Sequence, residues 1–386
     1  MCFCLGQIWY FFLQSEIIHY WGYPHEEYDI LTDDGYYLKA NRIPYGIHSP
    51  RKSGPIPVVL LVPGLVAEGR SWIANLPNNS LGFFLADAGY DVWIINNRGT
   101  TWSRRHQNFT IDQQEFWNFT FHEMGIYDIP AAINFILQKT QQDGLYYLGH
   151  SQGGAIGKLR RKEWSYFIML FCVAKDFSVL VQCPKAETTF LTLQKSRKIW
   201  GTKEFQFFSK RMKTISTQLC SYPGIDELCL QLIYLCAGFN DGNLNVSRVD
   251  TYLGIYPDFS SVKTIVHWSQ VMFNAFFSSV FQRTIHNICS FNPPFYKIED
   301  MMVPTAIWSG GTDIVTTAKD ADQLRLRISN LVFNKTIPEW NHADFIWDTE
   351  APKYLFPEVL NLMQMYQYNI PYQSGHFFSF SERKCL

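Results

Sequence analysis

Gly149-His150-Ser151-Gln152-Gly153 sets a serine between two glycines, after the apolar run Leu145-Tyr146-Tyr147-Leu148 and before the small residues Gly154-Ala155-Ile156-Gly157. That context, strand then turn then helix, is what a nucleophile elbow of the form G-x-S-x-G requires. Glycine has no Cβ, so strand and helix backbones can close on the turn, which lifts the hydroxyl above the sheet edge. A serine hydroxyl is a weak nucleophile and needs a general base within hydrogen-bond reach, usually a histidine oriented by a carboxylate. The chemistry these residues suit is acyl transfer.

Chain order narrows the partners, because in this kind of fold the serine is followed by the acid and then by the histidine. Of ten histidines only His267, His286, His342 and His376 follow Ser151. Asp313 is the best acid. It lies beyond the apolar run 303–308, on the loop Ser309-Gly310-Gly311-Thr312, and site residues gather at the carboxyl ends of strands in open α/β sheets. Asp320 and Asp322 read as helix-start residues. Only His342 and His376 also follow Asp313. His342 sits in a polar turn between apolar segments, whereas His376 stands in a polar, aromatic tail with little to anchor it, so His342 is the preferred base.

Acyl attack creates an oxyanion, which needs backbone N–H donors fixed beforehand, each worth about 10²–10³ in rate. One donor is expected from Gln152, directly after the nucleophile. The other is expected from Leu65 in the turn Val62-Pro63-Gly64-Leu65-Val66; Pro63 has no N–H, but none is required there.

The elements that must position these groups are visible as patterns. Residues 28–45 read as a hairpin turning at Asp33-Asp34-Gly35. Residues 56–62 form a continuous apolar run, suited to a parallel strand buried on both faces. Residues 80–89 carry helical spacing that stops at Gly89, 91–95 read as a short strand, and 126–138 as a helix. Residues 145–149 feed the elbow; 177–182, 303–308 and 331–337 supply further strands. Alternating strands and helices predict a mostly parallel sheet with helices on both faces, an α/β fold. Between about 195 and 300 the strand rhythm is lost, and helical stretches such as 228–235 predict an inserted, mainly helical cap.

Composition excludes other classes. Lys and Arg number 33 against 34 Asp and Glu, so there is no basic field for nucleic acid. An apolar content of 47% in 386 residues can build a sizeable core, and the 17% aromatic residues fit a well-filled one. Nine cysteines are not a dense disulfide scaffold; Cys220, Cys229 and Cys236 can hold one local bridge with one thiol spare. No paired CxxC motif exists, so no zinc site is assigned; the serine, histidine and acid chemistry itself implies no metal or organic cofactor. Residues 1–13 are apolar but short for a membrane span, which takes about 20 residues. They also lack the basic start and cleavage site of a good signal peptide, and read as a degraded signal or an N-terminal helix. Sequons at Asn78, Asn108, Asn118, Asn245 and Asn334 lean toward a secretory route.

Longer strings are more specific. Ile18-His19-Tyr20-Trp21-Gly22-Tyr23-Pro24, Asn75-Leu76-Pro77-Asn78-Asn79-Ser80-Leu81, Asn97-Arg98-Gly99, the elbow, and Asn341-His342 with Asp344-Phe345-Ile346-Trp347 closely resemble the acid lipase family. That family includes the gastric and lysosomal acid lipases and the epidermal lipases. The likeness covers residues 15–157, 219–272 and 293–366. It implies an α/β-hydrolase fold and a serine ester hydrolase with Ser151 as nucleophile, Asp313 as acid, His342 as base, and Leu65 and Gln152 as oxyanion donors. It also implies a disulfide between Cys220 and Cys229 with Cys236 a free thiol. The expected partner is a neutral lipid ester at a lipid–water interface, met by a monomer without a stable membrane span.

Two departures stand out. The family's His-Gly-Leu before the oxyanion donor is here Pro63-Gly64-Leu65, and residues 158–205, basic around Arg160-Arg161-Lys162, match the family poorly. The alternative to a working enzyme is an impaired hydrolase fold that binds lipid or a partner without turnover. A soluble peptidase or other acyl hydrolase would rest on the fold alone. The expected organisation is 1–14 as signal remnant or helix, 15–194 as the first part of the core, 195–300 as the cap, 301–368 as the rest of the core, and 369–386 as a tail.

Overall fold

The computed structural model describes residues 12–47, 56–157, 165–171, 201–239, 243–268, 298–300 and 302–367. His286, His376 and the expected strand 177–182 lie outside them.

Eleven strands are found among the described residues: β1 (Glu26–Leu31), β2 (Tyr36–Ile43), β3 (Val58–Val62), β4 (Asp91–Ile95), β5 (Arg105–His106), β6 (Gly144–His150), β7 (Ser165–Phe171), β8 (Glu204–Phe205), β9 (Ser260–Ser261), β10 (Thr305–Gly310) and β11 (Leu331–Ile337). The main sheet runs β1-β2-β4-β3-β6-β7-β10-β11, with β5 on β2. The pairs along the order from β4 through β11 are all parallel, whereas the β1–β2 hairpin, its junction with β4 and the β2–β5 pair are antiparallel. Strand, helix and strand in succession demand this arrangement, because a parallel neighbour needs a crossover and the crossover helix covers a sheet face.

Burial follows the pleat. In β3, Val58, Leu60 and Val62 enter the core cluster on one face, and Val59 and Leu61 the cluster on the other. In β6, Leu145 and Tyr147 alternate with Tyr146 and Leu148 in the same way. Strands buried on both faces must read as unbroken apolar runs, as these do. Helix Ile129–Thr140 covers one face with Ile129, Ile133 and Ile136. Helices Leu81–Asp87 and Phe356–Gln367 cover the other with Phe83, Leu85, Val359 and Met363. Truncating one of these residues, such as Leu60, to alanine would cost about 2–5 kcal/mol.

The strand beside β6 is β7, which lies within the stretch 158–205 that matches the family poorly. Its apolar run, Tyr166-Phe167-Ile168-Met169-Leu170-Phe171, pairs in register from Gly144↔Ser165 to His150↔Phe171.

Beyond β8 the chain is helical: Lys210–Leu219, Ile225–Ala237 and Val249–Ile255. A third, smaller apolar cluster of Leu230, Tyr234, Val249, Tyr252 and Ile255 packs with Ala343 and Trp347. Cys220 and Cys229 are joined by a disulfide, and Cys236 is a free, exposed thiol. Among the described residues no helix is long and apolar enough to cross a membrane.

Candidate active site

Four parallel strands, β3, β6, β10 and β11, end on the same side of the sheet, and each hands a candidate residue to that side. The turn after β6 carries Ser151 at φ +54°, the left-handed region. A non-glycine residue there is uncommon and strained, and the surrounding backbone must enforce it. The glycines show how. A Cβ on Gly149 would stand 2.5 Å from the Gly154 nitrogen, and one on Gly153 would stand 2.3 Å from the Val62 carbonyl oxygen. Helix Gln152–Gly157 is thus pressed onto β6 and the end of β3, which no side chain at either glycine would permit.

The turn after β3 lies against the serine. A Cβ on Gly64 would meet Ser151 Cβ at 3.1 Å and His150 Nδ1 at 3.4 Å. Pro63 is accommodated, its carbonyl accepting from Asn97 Nδ2 at 3.2 Å. Leu65 and Gln152 are both buried. No turn or loop hydrogen bond among the described residues uses the backbone N–H of either.

Asp313, on the loop after β10, is buried and fully engaged. Its Oδ1 accepts from the N–H groups of Val315 and Thr316, both at 2.8 Å; its Oδ2 accepts from Thr316 Oγ1 at 2.6 Å and from His342 Nδ1 at 2.9 Å. Burial alone would raise this carboxyl, but the His342 ring and the Thr316 hydroxyl and amide outweigh it and hold Asp313 below the ordinary carboxylate range. An ionised carboxylate only accepts, so the hydrogen is on His342 Nδ1 and the lone pair on Nε2. That is the tautomer a general base needs.

His342 is held by its main chain from both sides. Its N–H donates to the carbonyl of Ala237, the last residue of helix Ile225–Ala237, at 3.1 Å. Its carbonyl accepts from His150 Nε2 at 2.9 Å. Burial, then the neighbouring His342 ring, pushes His150 down to about 3, so it stays neutral and donates through Nε2. Gly238, at φ +112°, follows; a Cβ there would collide with the Thr312 carbonyl oxygen at 2.2 Å.

The structure therefore brings Gly64 to Ser151 and His150, His150 to His342, and His342 to Asp313. It does not bring His267 to Asp313: that ring stacks on Phe121 at 4.2 Å. Asp320 serves as N3 of a capping box with Thr317, and Asp322 pairs with Arg325. Sequence reasoning missed the roles of His150 and Ala237. His150 was visible as the second letter of the elbow, but nothing local announced a bond across 192 positions. Among the described residues no cluster of His, Cys, Asp and Glu could hold a metal ion.

Comparison with known proteins agrees with this architecture. Residues 14–76 match the family described as a partial alpha/beta-hydrolase lipase region, and residues 57–158 match the alpha/beta hydrolase fold. Lysosomal acid lipase/cholesteryl ester hydrolase of Homo sapiens is 45% identical over 362 residues, covering 92% of this chain and 91% of that protein. Gastric triacylglycerol lipase of Rattus norvegicus is 41% identical, covering 90% and 91%. Lipase member M of Homo sapiens is 41% identical, covering 92% and 86%. Among solved structures, a lipase from Acinetobacter baumannii matches with a TM-score of 0.53 at 14% identity, covering 92% of this chain and 95% of that one. An esterase from Exiguobacterium antarcticum matches at 0.51 and 13%, covering 88% and 100%. At such low identity these two speak for the fold.

Proposed function

This chain belongs to the acid lipase family and is a carboxylic ester hydrolase; from that premise we propose that it cleaves neutral lipid esters, acylglycerols or steryl esters, with Ser151, His342 and Asp313. In this reading Ser151 Oγ attacks the acyl carbonyl as His342 Nε2 takes its proton. The imidazolium then gives that proton to the departing alcohol, leaving an acyl-enzyme. Water, activated by the same nitrogen, releases the fatty acid and restores the serine. Asp313 fixes the tautomer of His342 and stabilises its transient positive charge. The N–H groups of Leu65 and Gln152 receive the oxyanion.

The observation that carries the reading is the 2.9 Å bond from His342 Nδ1 to buried Asp313, on the side of the sheet where the strained serine turn also lies. The low titration of Asp313 keeps that carboxylate charged in mildly acidic surroundings.

The helices after β8 support a lipid–water interface as the place of action, with residues 195–300 as a cap over the site. Met212, Ile215 and Leu219 on one helix, and Leu228, Leu232 and Leu235 on the next, are spaced by three and four residues and all exposed. Each forms an apolar stripe turned to solvent, the reverse of a soluble helix's economy. Burying a leucine of this kind in lipid returns about 1.5–3 kcal/mol. The Cys220–Cys229 disulfide and the sequons fit a secretory-pathway protein, as do relatives named for the lysosome and the stomach.

The test is fatty-acid release from emulsified long-chain acylglycerol, steryl ester and a soluble short-chain ester, by the protein and by Ser151→Ala. Release on the emulsions, abolished by the substitution, is expected. Binding to emulsion without release by the folded, unsubstituted protein would favour the non-catalytic alternative.

A further inference from the structure

An oxyanion hole of two N–H groups helps only when both are fixed before charge develops. Under the reading above, the donors come from separate places, one after β3 and one after β6. Their supports lead to a single stretch of chain.

Val66, directly after Leu65, holds φ at +47°. For a β-branched residue this is strained and persists only if neighbours over-determine it. Its carbonyl accepts from the Asp258 N–H at 2.6 Å. Asp258 is itself buried, its carboxylate accepting from the Thr101 N–H at 2.8 Å and from Thr101 Oγ1 at 2.6 Å. Farther on, Ser261 Oγ donates to the Phe119 carbonyl at 2.5 Å. Residues 262–268 are helical, and at their end the buried Trp268 donates from Nε1 to Gln152 Oε1 at 2.7 Å. The Trp268 ring stacks on Phe121 at 4.3 Å, while Gln152 Nε2 rests on Met124 Sδ at 3.5 Å. One segment therefore grips the turn of the first donor and the side chain of the second.

We propose that Trp268 and Asp258 are positioning residues for ester hydrolysis: residues 258–268 clamp both halves of the oxyanion hole at a fixed separation. The inference rests on Leu65 and Gln152 being the donors. It also ties the region between the sheet's two halves to the chemistry through two hydrogen bonds rather than through general packing.

The experiment is a double-mutant cycle of Trp268→Phe with Gln152→Ala, read on a soluble short-chain ester and on affinity for a trifluoromethyl ketone, whose adduct places an oxyanion in the hole. Gln152→Ala keeps the backbone N–H and removes only the side-chain acceptor. Trp268→Phe is expected to lower kcat about tenfold with KM within about twofold, and to weaken ketone affinity by a similar factor, the worth of one buried hydrogen bond. In the Gln152→Ala background it should do nothing more, since the shared bond is already gone. Asp258→Ala should lower kcat and ketone affinity in the same way with KM unchanged. Gln152→Leu, similar in bulk but unable to accept, covers the case in which Trp268→Phe does not fold, and should reproduce its loss. Wild-type kcat and ketone affinity in Trp268→Phe or Gln152→Leu, or an equal loss in both backgrounds of the cycle, would overturn the proposal. Ser151→Ala run alongside separates the two failures: activity surviving there would sink the functional reading itself.

Discussion

His342 Nδ1 donates to Asp313 Oδ2 at 2.9 Å, and the same carboxylate takes three further hydrogen bonds from Val315 and Thr316. A carboxylate so saturated is both rigid and reluctant to protonate. It therefore fixes one tautomer of the neutral ring.

Asp313→Asn should leave the loop in place but let the amide donate, favouring the wrong tautomer of His342. We expect kcat on a soluble ester to fall about 10⁴-fold, as for a triad acid replaced by its amide, with KM little changed and a thermal midpoint close to the parent's. A loss below tenfold would remove Asp313 from the reaction.

Gly153→Ala tests the elbow. The new Cβ would stand 2.3 Å from the Val62 oxygen and 2.8 Å from that of Pro63, both main-chain atoms with nowhere to go. Destabilisation of about 1–3 kcal/mol is expected from such overpacking, together with loss of activity, read by thermal melting beside ester turnover. A protein as stable and active as the parent would show that strand β3 and the elbow helix stand farther apart than described.

Asp348 gives a pH signature. Burial, together with Asp344 nearby, raises it to about 7, although the Glu350 amide pulls the other way. A group whose folded value lies above its unfolded one contributes stability that is complete below about 4 and lost as pH rises through about 7. Asp348→Asn should therefore raise the thermal midpoint at pH 8 relative to its effect at pH 4, by on the order of 2–4 °C. An equal effect at both pH values would contradict this.

The exposed stripes make a separable prediction. Leu228→Ser with Leu232→Ser should leave turnover of a soluble ester within about twofold while weakening adsorption to an emulsion at least tenfold, the transfer energy of about one buried leucine. Adsorption equal to the parent's, measured by depletion from the aqueous phase, would move the lipid-facing surface elsewhere.

Much of this fold was legible because parallel strands buried on both faces cannot hide. The apolar runs within β3, β4, β6 and β10 are buried, and Gly89 at φ +94° follows the end of its helix where spacing stopped; β11, the edge strand, carries Asn334 and Lys335 and is only partly buried. Strand β7 was missed although it is equally apolar, because the basic residues 160–162 before it obscured where a strand could begin. At the site, Ser151 announced itself through the close-packing its glycines serve, and chain order reduced the acid and base to few choices. What stayed illegible were contacts between distant parts of the chain. The bond from Trp268 to Gln152 spans 116 positions, and the support of His342 by Ala237 uses a carbonyl that every residue possesses. Such partners have no residue-type signature and emerge only when the sheet assembles.

The central claim is that Ser151 is a nucleophile activated where it stands. Incubating the folded protein with a long-chain alkyl p-nitrophenyl phosphonate and mapping the adduct by peptide mass spectrometry tests it most directly. The account predicts one equivalent bound at Ser151, with ester hydrolysis falling in step and no adduct in Ser151→Ala. An adduct elsewhere, or an unlabelled Ser151 in protein that still hydrolyses ester, would contradict it.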